Sequence, residues 1–489
     1  MVLEQTGRVA TVGDRARGRQ PDDTAADDCD IYPLHVPSPA RTAIVPYADL
    51  RRTSYTTQMS LLDKIRAREV RVGVIGLGYV GLPLAVEFAK AGLATVAVDV
   101  DSEKVARLER GESYIADVPD DEVRAVTTSG HLSPTTDFAA LAAVDTVDIC
   151  VPTPLRKTRD PDLSFVVAAV DEVARHLRAG QLVILESTTY PGTVEEVVRP
   201  KLEAHGLVAG RDFYLAFSPE RVDPGNAEWT TRNIPKVVGG VNPESTEVAA
   251  ALYEQVVERV VPVSSATVAE MVKLLENTFR AVNIGLANEL ALMCRALGVN
   301  VWEVIDAAKS KPFGYLPFYP GPGLGGHCIP VDPFYLSWKA RQSGFESRFI
   351  ELAGHINASM PRYVVELVGE ALNSRSRAIR GSRVHLFGMA YKPNVSDTRE
   401  SPAIDIALLL QEQGAKVSYS DPFVPAVSEG TLELTAVSPD QALTAGVDCA
   451  VITTDHRALD YRELASRVPV IVDTRNALKG VERDNIYRL

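Results

Sequence analysis

The stretch Val72-Gly-Val-Ile-Gly-Leu-Gly-Tyr-Val-Gly-Leu-Pro-Leu-Ala-Val-Glu-Phe-Ala-Lys-Ala-Gly92 constrains this chain more than any other. A short apolar strand runs into a turn with glycines at 76, 78 and 81, the turn opens a helix, and a second strand ends at Asp99. Glycines here let the backbone approach a pyrophosphate at the helix N-terminus, and a carboxylate at the next strand end accepts from ribose hydroxyls while repelling a 2′-phosphate. The pattern predicts a dinucleotide site that takes NAD in preference to NADP. A bare strand-to-helix turn would account for the glycines alone, but not for the strand context together with Asp99.

Short apolar strands recur at 147–151, 182–185 and 214–217 with helical patterns between them, which indicates a parallel sheet with helices on both faces. A second alternating unit starts near 381 and continues through a helix at 401–413 and strands at 416–419, 449–453 and 468–473. Between the units, residues 265 to about 308 lack strand or turn signals and repeat apolar residues at helical spacing (Met271, Leu274, Leu275, Phe279, Val282, Ile284, Leu286, Leu290). The expected fold class is α/β, two Rossmann-like doubly wound lobes joined by a long central helix. Its divisions are an N-terminal extension over 1–65, rich in clustered Arg and Asp, lacking periodicity and expected to be disordered or loosely docked, a nucleotide lobe over 66–262, a central helical part over 263–372, and a second lobe over 373–489. Two lobes with a helix between them leave a cleft, the default ligand site.

A formal net charge of −13 argues against a nucleic-acid partner, so anionic ligands must be met by local positive groups. The five cysteines are scattered and odd in number, offering neither a metal spacing nor a disulfide framework, which fits a reducing cytoplasm. No apolar run approaches the ~18 residues of a membrane helix, and no signal-peptide core is present.

Within Gly321-Pro-Gly-Leu-Gly-Gly-His-Cys-Ile-Pro-Val-Asp332, Cys328 ends a glycine-rich loop that lets backbone N–H groups approach an anion, with Asp332 four residues on. A thiolate in a dehydrogenase has a specific use. An aldehyde gives up a second hydride only after a nucleophile adds to its carbonyl, and a thiohemiacetal supplies that hydrogen and leaves a thioester for water to cleave. The bland alternative is a buried cysteine acting as a small hydrophobe. His327 is adjacent in the chain and points elsewhere, so it is not the expected partner base. Lys273 and Asn277, four apart, share one helix face. They form either a solvated polar stripe or, beside the thiol, a cation that lowers its pKa and stabilises an oxyanion. The segments 151–154, 186–192 and 218–221 follow strands, where ligands of open α/β sheets bind.

In chain order the segments 76–82, 151–154, 186–192, 218–221, 273–277, 288–291, 321–332 and 392–401 resemble the UDP-glucose/GDP-mannose dehydrogenase family, and the resemblance runs from about Arg71 to the C-terminus. It implies oxidation of C6 of a nucleotide sugar to a uronate with two NAD. Cys328 would be the nucleophile, Lys273 and Asn277 would hold the C6 oxygen, Asp332 would help activate water, Thr188 would position a water, and Glu220 would orient substrate and assist thioester hydrolysis. NAD contacts would fall on Gly76, Gly78, Tyr79, Val80, Gly81, Asp99, Lys104, Thr153, Thr188 and Arg399. Contacts to the UDP-sugar would come from Glu220, Arg221, Lys273, Asn277, Gly321, Gly323, Gly325 and Lys392. The second lobe would bind the nucleotide, and the long helix would form the core of a homodimer or higher homo-oligomer. His327 and Val331 resemble the branch acting on UDP-N-acetylglucosamine, with UDP-N-acetylmannosamine and UDP-glucose as alternatives. A single-oxidation dehydrogenase would not need Cys328, and a non-catalytic nucleotide-sugar regulator would not need Lys273, Asn277, Cys328 and Asp332 intact.

Overall fold

The computed structural model describes Met59–Leu489 apart from residues 116, 157–159, 223–225 and 227. The extension read over 1–65 therefore lies mostly outside the described residues, but its last part does not. Leu61–Arg66 is a helix capped by Ser60, and Leu61 and Ile65 are buried in the core of the first lobe.

The first lobe holds eight strands: β1 Arg71–Ile75, β2 Ala94–Val98, β3 Leu132–Thr135, β4 Thr146–Ile149, β5 Leu182–Leu185, β6 Tyr214–Phe217, β7 Lys236–Gly240 and β8 Val260–Pro262, ordered β3-β2-β1-β4-β5-β6-β7-β8. The first six have the doubly wound order with its reversal between β1 and β4. Apolar cores lie on both faces, and Val72 and Val74 point to one while Ile75 points to the other. One difference from the expected parallel sheet follows from a connection. The described residues between β6 and β7 contain no helix, and parallel return needs a crossover of a dozen or more residues, usually helical. β7 accordingly runs antiparallel to β6, with Ala216 opposite Gly240 and Phe217 opposite Gly239.

The second lobe has β9 Arg383–Phe387, β10 Lys416–Ser420, β13 Cys449–Ile452, β14 Ile471–Asp473 and β15 Ile486–Arg488 in the all-parallel order β10-β9-β13-β14-β15, with a separate hairpin of β11 Ala426–Glu429 and β12 Leu432–Thr435. Its order reverses between β9 and β13. Asp421, just after β10, accepts at Oδ2 from the backbone N–H of Met389 and Ala390 and from His456 Nε2, and at Oδ1 from Phe423 and Val424.

The helix Ala266–Ala296 joins the lobes. It is shorter than the helical pattern, which ran on to about 308, because Gly298 takes φ +68 to stop it and Asn300 caps a separate helix, Val301–Ala308. Helix Arg348–Asn373 packs along it at close range: a Cβ on Gly285 would lie 3.1 Å from the Cβ of Ala353. Asn288 donates to Asn357 Oδ1 (2.8 Å) and accepts from the N–H of Gly321 (2.9 Å), tying the start of the cysteine loop to this helix pair. No helix among the described residues is long and apolar enough to cross a membrane.

Candidate active site

The carboxyl ends of β1, β2, β4, β5 and β6 face the cysteine loop and the second lobe across a cleft of about 1590 Å³. That is more than the few hundred to 1,000 Å³ usual for one small ligand, and fits a dinucleotide beside a nucleotide sugar.

At one end, Gly76 (φ +87) passes so close to β4 that a Cβ there would meet the carbonyl oxygen of Cys150 at 2.7 Å, and a Cβ on Gly81 would strike the carbonyl of Gly76. Gly78 has open space where a Cβ would stand. The helix Gly81–Lys90 starts there with no side-chain cap; Leu82 N donates to the Gly78 carbonyl (3.2 Å) and Pro83 has no N–H, which leaves the N–H of Gly81 for a ligand. Asp99 accepts from Leu77 N (2.7 Å), Asp101 N (2.9 Å) and Lys104 Nζ (3.3 Å). A carboxylate takes about four hydrogen bonds, leaving one position for a ribose hydroxyl. Thr153 sits in a loop held by Tyr335, whose hydroxyl donates to the Thr153 carbonyl (3.0 Å). Arg399 reaches across from the second lobe, paired with Asp397 and 5.3 Å over the ring of Tyr79. An NAD molecule fits these residues.

At the centre, Lys273 and Asn277 are buried on the long helix. Lys273 Nζ donates to the carbonyl of Glu220, and Asn277 Nδ2 donates to Asp332 Oδ2. This excludes the solvated-stripe reading. Cys328 lies in the same cleft, partly exposed, and its carbonyl accepts from Asp332 N (2.8 Å) at the start of helix Asp332–Gln342. Burial and the Asp332 carboxylate push the thiol up to about 11, and the opposing pull of Lys273 and Arg399 is smaller. The lysine lowers this pKa as expected, but desolvation outweighs it and the net shift is upward. Burial also raises Asp332 to about 6 against the pull of Lys273 and Asn277, so it remains an ionised acceptor at neutral pH.

Gly76, Gly78, Tyr79, Val80, Asp99, Lys104, Thr153, Thr188, Glu220, Arg221, Lys273, Asn277, Gly321, Gly323, Gly325, Cys328, Lys392 and Arg399 all line this cleft, while Gly81 and Asp332 stand behind its wall. Arg221 is engaged by Glu276 (2.6 Å). The loop glycines have a different reason from the anion approach read in the sequence. A Cβ on Gly325 would meet Tyr391 Cβ at 2.6 Å, one on Gly326 (φ +86) would meet the Tyr391 ring at 2.8 Å, and Gly326 N donates to the Arg399 carbonyl (3.0 Å). These two glycines let the second lobe dock on the loop.

Several residues were not legible from sequence. Arg475 follows β14, donates to the Thr453 carbonyl (2.9 Å) and reaches Gly321; its place after a strand end was the available signal. Buried Glu270 accepts from the N–H of Gly192 and of Val194 (2.9 Å), anchoring the segment after β5 to the long helix.

Residues 70–257 match the NAD binding domain, 267–359 the central domain and 385–480 the UDP binding domain of one family. This chain belongs to the UDP-glucose/GDP-mannose dehydrogenase family. It is an NAD-dependent UDP-sugar dehydrogenase. The UDP-N-acetyl-D-mannosamine dehydrogenase of Pyrococcus horikoshii is 36% identical over 425 residues, covering 86% of this chain and 98% of the relative. The UDP-N-acetyl-D-glucosamine 6-dehydrogenase of Pseudomonas aeruginosa is 38% identical over 361 residues, covering 73% and 84%. The solved Pyrococcus horikoshii UDP-D-ManNAc dehydrogenase superposes with a TM-score of 0.79 at 36% identity, covering 86% of this chain and 98% of that one.

In this family member, changing Asp99 to alanine removes the carboxylate expected to accept from the ribose and leaves Lys104 without its partner. KM for NAD should rise roughly 10- to 100-fold, the ~1.5–3 kcal/mol of a charged hydrogen bond, and the preference over NADP should narrow. Unchanged KM and cofactor ratio would mean that this strand end does not hold the ribose.

Proposed function

We propose that the protein oxidises C6 of a UDP-N-acetylhexosamine, UDP-N-acetylglucosamine in the first instance, to the uronate in two oxidations on one site. The observation that carries this reading is Cys328 in one cleft with Lys273, Asn277 and the glycine turn, and with Asp332 directly behind them. Bound NAD supplies the hydride acceptor for each oxidation. Lys273 and Asn277 hold the C6 oxygen as negative charge grows on it, Cys328 adds to the aldehyde carbon to give the thiohemiacetal, and the resulting thioester is cleaved by a water that Asp332, Thr188 and Glu220 position and deprotonate. Because the free thiol is held protonated, its proton has to pass to an acceptor as the sulfur attacks, and ionised Asp332 is the carboxylate beside it. Arg221, Gly321, Gly323, Gly325, Lys392 and Arg475 line the part of the cleft where the UDP-sugar would lie.

The helix Ala266–Ala296 exposes Val268, Met271, Leu275, Phe279, Leu286 and Met293 at spacings of about one or two turns. An apolar stripe of this length on a helix needs a cover, and the homodimer that the family resemblance implies would supply one in a second copy.

The gluco epimer is favoured by His327 and Val331 in the cysteine loop, and the manno epimer by the Pyrococcus horikoshii relative. NADH formation over a panel of UDP-sugars decides. UDP-N-acetylglucosamine should give the highest kcat/KM, with UDP-glucose at least about tenfold lower, a gap of ~1.4 kcal/mol within reach of acetamide contacts. Activity confined to the manno epimer would replace the first reading by the second, and a preference for UDP-glucose would overturn both.

A further inference from the structure

Beneath the site lies a set of buried ionisable groups that the reaction as written does not use. Because β7 runs against β6, its first residue, Lys236, is delivered to the edge at which the parallel strands end, the edge where ligands bind. There Lys236 Nζ lies 2.8 Å from Glu186 Oε2 and 4.0 Å from Glu220 Oε2, and 4.9 Å from the ring centre of Tyr253. Glu186 follows β5 and Glu220 follows β6, so three successive strands each contribute one charge. The Tyr253 hydroxyl contacts both Asp148 Oδ1 (2.8 Å) and Glu186 Oε1. Its one hydrogen serves only one of the two carboxyls, so the other contact needs a proton on a carboxyl, and burial raises Asp148 well above the usual carboxylate range.

Isolated buried charges are costly, and an apolar set of the same shape is often at least as stable. Lys236 heads a strand whose remaining residues, Val237 to Gly240, are all apolar and buried, so a hydrophobic side chain would suit the fold there. Glu220 has its other oxygen fixed by the N–H groups of Arg221 (2.7 Å) and Val222, and its carbonyl holds Lys273. Its remaining orientation is set by the cation at 4.0 Å.

We propose that Lys236, anchored on Glu186, is a positioning residue for thioester cleavage, holding the Glu220 carboxylate towards the acyl group on Cys328. This rests on the reading of Cys328 as acyl carrier and Glu220 as assistant to hydrolysis. In that step water oxygen bonds to the acyl carbon, the C–S bond breaks, sulfur leaves with the bonding pair and takes a proton, and the water's proton passes to the carboxylate. No oxidant is consumed, so a defect here leaves both hydride transfers intact.

The test is pre-steady-state NADH formation with intact-mass analysis on the full chain, using the UDP-sugar that turns over fastest. Lys236→Met should keep a burst of two NADH per site and a kcat/KM for the sugar within about threefold, while steady-state kcat falls roughly 10²-fold, KM falls with it, and protein carrying the acyl group accumulates. If Lys236→Met does not fold, Lys236→Met combined with Glu186→Gln removes the pair as neutral groups and should give the same pattern. A fall in the burst itself, a fall in kcat without acyl-enzyme, or wild-type turnover in the paired variant would overturn the proposal. Glu220→Gln separates the two levels. If it accumulates acyl-enzyme and the Lys236 variants do not, only the role of Lys236 fails; if it does not accumulate either, the role of Glu220 fails.

Discussion

Replacing Cys328 with serine should lower uronate formation by ~10⁴ or more, the scale for a lost nucleophile, without unfolding the protein. The swap changes side-chain size little. The first hydride transfer does not use the thiol, so a bound or slowly released aldehyde, or an adduct on the introduced hydroxyl, should be detectable by carbonyl trapping or intact mass. The raised pKa adds a signature in the free enzyme. With the thiol at about 11, alkylation of Cys328 should be slow at pH 7 and climb about tenfold per pH unit up to that value. Uronate formed by Cys328→Ser at near wild-type rate would end the covalent reading.

Lys273→Ala should impair both oxidations together, because the C6 oxygen carries developing negative charge in each. Loss of one such donor costs about 10²–10³ in kcat, or ~3–4 kcal/mol. A second effect has a definite sign. Lys273 pulls the Asp332 pKa down, so its removal raises that pKa above about 6 and shifts the ionised, proton-accepting form to higher pH. Part of the lost rate should therefore return on raising pH, while Cys328→Ser should show no such recovery. An Lys273→Ala enzyme that still completes the first oxidation at wild-type rate would remove Lys273 from the chemistry.

The parts of the fold legible in the sequence are those fixed by local rules. The glycine turn is a strand-to-helix junction whose steric demands are met within a few residues of Gly76 and Gly81, so its spacing is sufficient to place it. The long helix was legible from its apolar period, and only the point where it stops was not, because Gly298 and Asn300 are a brief interruption in a pattern that resumes at Val301. The direction of β7 was hidden since Lys236–Gly240 reads like any buried strand, and direction depends on the connection before it. The thiol's pKa was hidden for another reason. Lys273 could be seen in the text, but the burial that outweighs it exists only once both lobes close on the loop. The same closure explains Gly325 and Gly326, whose close neighbour Tyr391 lies 65 or more residues away in the chain.

The two lobes each set an aspartate just beyond the second strand of a doubly wound sheet, yet only one of these has capacity to spare. Asp99 meets three donors, whereas Asp421 already meets five. A ribose hydroxyl offered to Asp421 would have to evict a backbone amide or His456, at the cost of a buried unsatisfied group. Asp421 therefore offers no ribose acceptor in the second lobe, and on the proposed two-step reaction both oxidant molecules would take the single berth at Asp99 in turn. On that reading the reaction becomes a matter of traffic: the spent cofactor would have to depart and a fresh one arrive while the half-oxidised sugar stays behind, and a sugar tethered through sulfur to Cys328 could not leave during the exchange.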